Sequence, residues 1–198
     1  MKYGIFSCSP RAGGNSDFCA SLLYKQLEQQ KQQAQPERSA EIFYPCRKPL
    51  QTCIACGFCD NGKGKCAFSK QENDIVTNLY ASLFQVDKAF FIVPMYFYHV
   101  PANFKAFLDR AQAWYAVPKE QKPANNLVID LILIGAREKG DKLFEGAKLS
   151  IKYAIECIGA RLGSCLCLYG LDKADDLANN PQKQQQILDI LCSNPAIL

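Results

Sequence analysis

Two segments, Ala89 to Val93 and Leu127 to Ile134, are apolar almost without interruption. They are far too short to span a bilayer. Strands of this composition are buried on both faces, the condition of the inner strands of a parallel sheet covered by helices on each side. Shorter apolar runs predict further strands at Tyr3 to Phe6, Glu41 to Tyr44 and Arg161 to Tyr169. Between the runs the period changes. Phe104, Phe107, Leu108 and Ala111 mark one face of a helix, as do Ala147, Ile151, Ala154, Ile155 and Ile158, with Gly159 placed to end it. A first helix is expected from Asn15 or Ser16, fading through the polar stretch Gln26 to Gln35, and a last one carries Ile187, Leu188 and Leu191. Strands alternating with helices give a doubly wound α/β fold, whose ligands sit at the carboxyl ends of the strands.

The 198 residues suit one domain with one sizeable core. A formal charge of +4, scattered along the chain, gives no concentrated basic footprint for nucleic acid. The first residues run straight into a strand with no apolar leader, and no run is long enough for a membrane, so a cytoplasmic protein is expected. Eleven cysteines in such a chain point to metal or redox use before a disulfide framework. Cys165 and Cys167 alternate in an apolar stretch and are expected to be small buried side chains.

Three unusual loops each follow a predicted strand: 7–16, 45–68 and 94–99. The first, Ser7-Cys8-Ser9-Pro10-Arg11-Ala12-Gly13-Gly14-Asn15-Ser16, opens a helix and supplies hydroxyls, an amide, glycine N–H groups and one guanidinium. A helix N-terminus behind such donors favours a phosphate. It lacks the Gly-Lys-Ser/Thr of a nucleotide-triphosphate loop and the spacing of the dinucleotide fingerprint. Taken alone it is either an anion site or a polar turn with a serine cap.

Ser9-Pro10-Arg11-x-x-Gly14-Asn15-Ser16, with Pro94-Met95-Tyr96 ahead of Phe104-Lys105-x-Phe107-Leu108-Asp109-Arg110, resembles the NADPH-dependent FMN reductase family from the N-terminus to about Tyr169. The resemblance implies a three-layer, flavodoxin-like α/β fold, a doubly wound five-stranded parallel sheet of order 2-1-3-4-5. It makes residues 1–198 a single FMN-binding domain with a cysteine-rich insertion at about 45–68. It also implies FMN phosphate on Ser9, Arg11, Asn15 and Ser16, the flavin ring on Pro94, Met95, Tyr96 and Phe97, and the loop opening at Gly135 near the ring's other edge. NAD(P)H is the implied co-substrate, and homodimers or homotetramers are implied too. The apolar-aromatic segment Phe97 to Trp114 offers an interface. His99, the only histidine, lies in the third loop and is expected to be structural or incidental.

Cys53-x-x-Cys56-x-x-Cys59, followed after six residues by Cys66, is the most specific chemical signal. Compact Cys-x₂-Cys-x₂-Cys runs suit a cubane cluster, whereas zinc ribbons separate two Cys-x₂-Cys pairs by a longer span. The spacing resembles the iron–sulfur flavoprotein branch of the same family, which implies a [4Fe–4S] cluster on Cys53, Cys56, Cys59 and Cys66 near the flavin. Zinc, or cysteines that stay reduced, remain alternatives. Two departures stand out: Glu72-Asn73-Asp74-Ile75 replaces the family's paired acids and methionine, and Cys8 stands where glycine is common. These readings describe a flavin-dependent oxidoreductase passing electrons between NAD(P)H or a ferredoxin-like donor, a cluster and FMN. The cofactors carry that chemistry, and no acid–base residue is assigned. A plain FMN or quinone reductase without a cluster, a one-electron carrier, and a flavodoxin-like protein with a structural zinc loop are the rivals.

Overall fold

The computed structural model describes residues 1–33 and 37–192. Five parallel strands, β1 (Lys2–Ser7), β2 (Ser39–Phe43), β3 (Lys88–Pro94), β4 (Val128–Ile134) and β5 (Arg161–Leu168), lie in the order β2-β1-β3-β4-β5. The chain therefore winds outward from β1 in one direction and from β3 in the other, and the reversal falls between β1 and β3. The uninterrupted apolar runs are the inner strands, as their composition requires. Phe90, Phe91, Ile92 and Val93 of β3 and Ile129, Leu131, Ile132 and Leu133 of β4 are fully buried.

Alternation along each strand divides the core in two. Ile5, Phe90, Ile92 and Ile132 face α1 (Asn15–Gln33) and α5 (Pro181–Cys192). Phe6, Phe91, Ile129, Leu131 and Leu133 face α2 (Ile75–Leu83), α3 (Ala102–Asp109) and α4 (Glu145–Cys157). On the second face the rings of Phe91, Phe104 and Phe107 pack edge-on and stacked, with Tyr80 stacked on Phe107 at 4.3 Å between centroids. Truncating one such ring to alanine costs about 3–5 kcal/mol, because a packed core cannot close around the void.

Strand and helix bounds follow the sequence reading with local shifts. β2 begins two residues before the expected Glu41 and ends at Phe43, before Tyr44. α1 runs to Gln33, and the end of the expected polar fade, at residues 34–35, lies outside the described residues. α4 does stop before Gly159, whose φ of 92° is a left-handed conformation that side chains resist. α2 starts at Ile75 because Asp74 caps it, accepting from Thr77 N–H at 3.0 Å. Cys165 and Cys167 correct an expectation. They stand on the outermost strand, Cys165 exposed and Cys167 half-buried, because only β4 flanks β5. No helix among the described residues is long and apolar enough to cross a membrane.

Candidate active site

The loops that follow β1, β3, β4 and β5 converge beside the switch point and enclose a cavity of about 160 Å³. Its wall contains Ser9, Arg11, Asn15, Ser16, Pro94, Met95 and Tyr96, together with Ala136 in the loop that opens at Gly135 and Asp172 in the loop after β5. Two further candidates stand apart from that wall. Gly135 is not part of it; a Cβ there would meet the side chains of Leu143 at 2.7 Å and Phe144 at 3.2 Å, which would have to shift to admit a larger residue. The Phe97 ring is 100% exposed.

Loop 7–16 is braced from within. Ser9 Oγ accepts from Arg11 N–H at 3.1 Å and donates to Arg11 C=O at 3.0 Å. Asp17, in the first turn of α1, accepts from Ser7 Oγ at 2.6 Å and from Gly13 N–H at 2.7 Å. Arg47, from the loop after β2, closes the structure: its guanidinium grips both Asp17 oxygens at 2.5 Å and donates to the carbonyls of Ser9 and Arg11. The clip pulls loop carbonyls outward and consumes the Asp17 charge. Arg11 forms no ion pair among the described residues, so its cation is left for an anion. Neither Asp17 nor Arg47 was legible as part of the site, since an acid in a helix's first turn is ordinary and the arginine lies 30 residues on.

Asn15 requires a correction. Both hydrogens of its amide are spent, on Leu171 C=O at 3.3 Å and Lys173 C=O at 2.8 Å, and its oxygen accepts from Leu177 N–H at 3.0 Å. The side chain fastens α1 to the loop after β5, leaving the residue's contribution to an anion site to its backbone.

The loop after β3 is a tight reversal. Tyr96 and His99 exchange backbone hydrogen bonds of 2.8 and 3.0 Å, and the two residues between them, Phe97 and Tyr98, have φ of 49° and 65°. Left-handed backbone at both central positions is the geometry of a type I′ turn, normally filled by asparagine and glycine. Two aromatic residues there are strained. Tyr98 is held by Arg137, which donates to its hydroxyl at 2.6 Å and covers its ring. His99 Nε2 lies 3.0 Å from Ser150 Oγ, tying the turn to α4. Within the segment proposed as an interface, Phe104, Phe107, Leu108 and Ala111 are buried in the protein's own core, which leaves Phe97 and Tyr98 exposed.

Cys53, Cys56, Cys59 and Cys66 all line a second cavity, of about 370 Å³, with Asp109 and Arg110. Left-handed Ala55, Gly57, Gly62 and Gly64 curl the loop around it. Among the described residues no three His, Cys, Asp or Glu side chains gather as a single metal ion would require. Arg110, buried to 3% exposure, donates to Asp74 at 2.5 and 3.2 Å and to Gln51 C=O at 3.3 Å, and stacks on Phe68. Burial pushes the Asp74 carboxyl up, but hydrogen bonds from Arg110 and Thr77 outweigh it and hold the carboxyl below its ordinary range. Burial likewise opposes the Arg110 cation, and Asp74 and Cys66 more than offset it. The Arg110 Nε hydrogen has no partner in this buried setting. The Arg110–Asp74 pair was not recognised from sequence, although Arg110 closes one of the family motifs.

The profile of the family described as NADPH-dependent FMN reductase matches residues 1–148. No curated protein matches the sequence. Among solved structures, a putative quinone reductase from Klebsiella pneumoniae superposes with a TM-score of 0.67 at 17% identity, covering 100% of this chain and 87% of that one. An FMN-dependent NADH-azoreductase from Bacillus anthracis, solved with FMN, gives 0.64 at 12% identity, covering 98% and 100%. The Trp repressor binding protein of Bacillus subtilis gives 0.61 at 15%, covering 99% and 100%. At these identities the likeness is one of fold.

Proposed function

The chain belongs to the NADPH-dependent FMN reductase family, and from that premise we propose that it binds FMN in the cavity at the switch point and reduces a small-molecule acceptor with electrons from NAD(P)H. One observation carries the reading: Ser9, Arg11 and Ser16 share one cavity wall with Pro94, Met95 and Tyr96, although nearly eighty residues of sequence separate the two groups. A phosphate meets the α1 N-terminus, the Ser16 hydroxyl and the Arg11 cation there, with Ser9 shaping the loop around it. The edge of a planar ring meets the backbone of residues 94–96. Bound flavin supplies hydride and single-electron chemistry, and the protein supplies position. Titration of the apoprotein with FMN, followed by steady-state assays with NADH, NADPH and reduced ferredoxin, tests this. Saturable FMN binding with turnover on a nicotinamide supports it, and inactivity with all three donors overturns it.

The finer proposal is a [4Fe–4S] cluster held by Cys53, Cys56, Cys59 and Cys66. Its support is a soft four-thiol set around one cavity, with a buried guanidinium beside Cys66 to offset the charge of such a group. Iron and sulfide in anaerobically purified protein, with a broad absorption that bleaches on dithionite, support the cluster. Zinc supports the reading of a structural loop, and flavin bands alone leave a plain reductase. We also propose a homodimer or homotetramer in which a second copy covers the Phe97–Tyr98 turn. Sedimentation showing only monomer at micromolar concentration counts against that.

A further inference from the structure

A cavity of about 450 Å³ lies between α2, the segment 110–114 after α3 and residues 58–70. It adjoins the cysteine cavity, sharing Phe58, Cys66 and Arg110 with it, and has no lining residue in common with the switch-point cavity. Much of its wall is aromatic. Tyr80 and Phe84 each pack on Trp114, at 4.6 and 5.3 Å between ring centroids, and Phe58 stands in the loop. Gly64, with φ of 65°, lies so near the indole that a Cβ would stand 3.1 Å from it, so a side chain there would press on this wall.

The polar groups of the wall sort by charge. Among the described residues no aspartate or glutamate lines the cavity. The hydroxyl hydrogens are spent: Ser69 Oγ donates to Cys66 C=O at 2.7 Å, Tyr80 to Phe107 C=O at 2.9 Å, and Thr77 to the Asp74 carboxylate. Arg110 is spent on Asp74 and Gln51. The donors left are Lys65, Lys70 and the Trp114 indole N–H. Among the described residues neither lysine forms an ion pair, and the indole has no acceptor. Lys70 Nζ stands 4.9 Å from the centre of the Phe58 ring, which fixes one positive charge at the edge of the aromatic wall.

We propose that this cavity binds a small aromatic carboxylate, its ring against Tyr80, Phe84 and Trp114 and its charge on Lys65 and Lys70. A pocket of a few hundred cubic ångströms, mainly apolar and aromatic with a few polar groups, is the usual form of a small-molecule site. An aromatic ring gains from offset or edge-on packing on the three side chains beyond the area it buries. A phosphate is served less well, because the N-terminus of α2 already carries the Asp74 carboxylate as its cap. Both lysines are exposed to solvent, so each contributes modestly. Ring burial supplies most of the affinity, and the two cations supply the preference for a carboxylate.

Trp114 is the only tryptophan, so its emission reports on this cavity directly. Full-length protein is titrated with phenylacetate and with phenylacetamide, its neutral isostere. Affinity is read by equilibrium dialysis, and placement from tryptophan emission excited where a phenyl ring does not absorb. Phenylacetate should bind saturably, change the emission in step with binding, and bind about three- to tenfold more tightly than the amide. Lys65→Gln combined with Lys70→Gln should bring the acid down to the level of the amide. Ala81→Phe, which fills the cavity from its wall, should weaken both ligands about tenfold. Unchanged melting curves and FMN affinity in these variants separate loss of the site from misfolding and from the flavin reading. Equal affinity for acid and amide, an acid affinity unchanged in the double lysine variant or in Ala81→Phe, binding without a change in emission, or no binding at all overturns the proposal. So does emission that shifts with protein concentration alone, which would mean that a second copy covers the cavity.

Discussion

Loops 7–16 and 53–66 both carry the backbone along a set path beyond the end of a strand, and they do it by opposite means. The first is cross-braced: Asp17, Arg47 and the loop's own serines hold it, and Asn15 ties the adjoining helix to residues 171–177. The second is shaped by four left-handed residues and by hydrogen bonds that reach only a few residues, such as Asp60 N–H to Gly57 C=O and Gly62 N–H to Cys59 C=O. Its anchorage comes from one side, where Arg110 grips Gln51 and Asp74. A loop built in the first way is ready for its ligand before the ligand arrives. One built in the second way has soft donors at its centre and needs something to hold them together.

The largest effect expected is at the Arg110–Asp74 pair. Asp74→Ala leaves a buried guanidinium without its carboxylate and removes the cap of α2, a loss of about 3–5 kcal/mol that urea unfolding would register. Because the Asp74 carboxyl lies below its unfolded value, its stabilisation is complete above pH ~3.9 and disappears as pH falls through the folded value. The gap between wild type and variant should therefore narrow in acid. A gap that stayed constant to low pH would mean the pair is not the anchor.

The braced loop should behave differently. Arg11→Ala removes a charge-assisted contact worth about 1.5–3 kcal/mol, a loss of ten- to more than a hundredfold in FMN affinity, with the melting point unchanged. Arg47→Ala should lower stability and weaken FMN less. If Arg47→Ala matched Arg11→Ala in affinity and left stability alone, Arg47 would be a ligand rather than a brace. Hydrogen exchange sharpens the same contrast: the amides of Cys8, Arg11 and Gly13 should be protected before any ligand is added, and those of 53–66 should gain protection only on cluster loading. Cys59→Ser should abolish that gain without moving FMN affinity more than about threefold, within the additivity expected of separate sites.

What the sequence made legible divides along this line too. The buried runs of β3 and β4 and the end of α4 at Gly159 are period and punctuation, which local chemistry writes into the chain, whereas the order of the strands in the sheet is carried by the family resemblance alone. It was the family resemblance that pointed to Ser9, Arg11, Ser16 and residues 94–96 of the switch-point cavity, while Leu171 and Asp172 in the same wall carry no local signal. Arg47 with Asp17, and Arg110 with Asp74, were not readable, since each pair forms only after the sheet has brought distant loops together. Asn15 looked like a phosphate donor for the same reason: its partners Leu171, Lys173 and Leu177 lie more than 150 residues away. Cys165 and Cys167 were misjudged because apolar neighbours signal a strand, while burial depends on whether a further strand stands beyond it.

The smallest expected effect concerns the third loop, which belongs to neither type. Phe97 and Tyr98 hold left-handed backbone at a cost of order 1–3 kcal/mol each, and Phe97 recovers nothing by burial in the monomer. Phe97→Gly removes the steric cost but adds freedom to the unfolded chain, an offset of about 0.5–1 kcal/mol. The net gain should be about 1 kcal/mol, seen as a rise of about 2–4 °C in Tm for a chain of this size. Phe97→Ala keeps the Cβ and should give no gain. If the ring is retained to meet a second copy, Phe97→Gly and Phe97→Ala should both weaken self-association in sedimentation while differing in monomer stability. A glycine variant that melts lower than wild type in the monomer would show instead that the ring packs within its own chain, and the proposed interface would lose its most exposed contact.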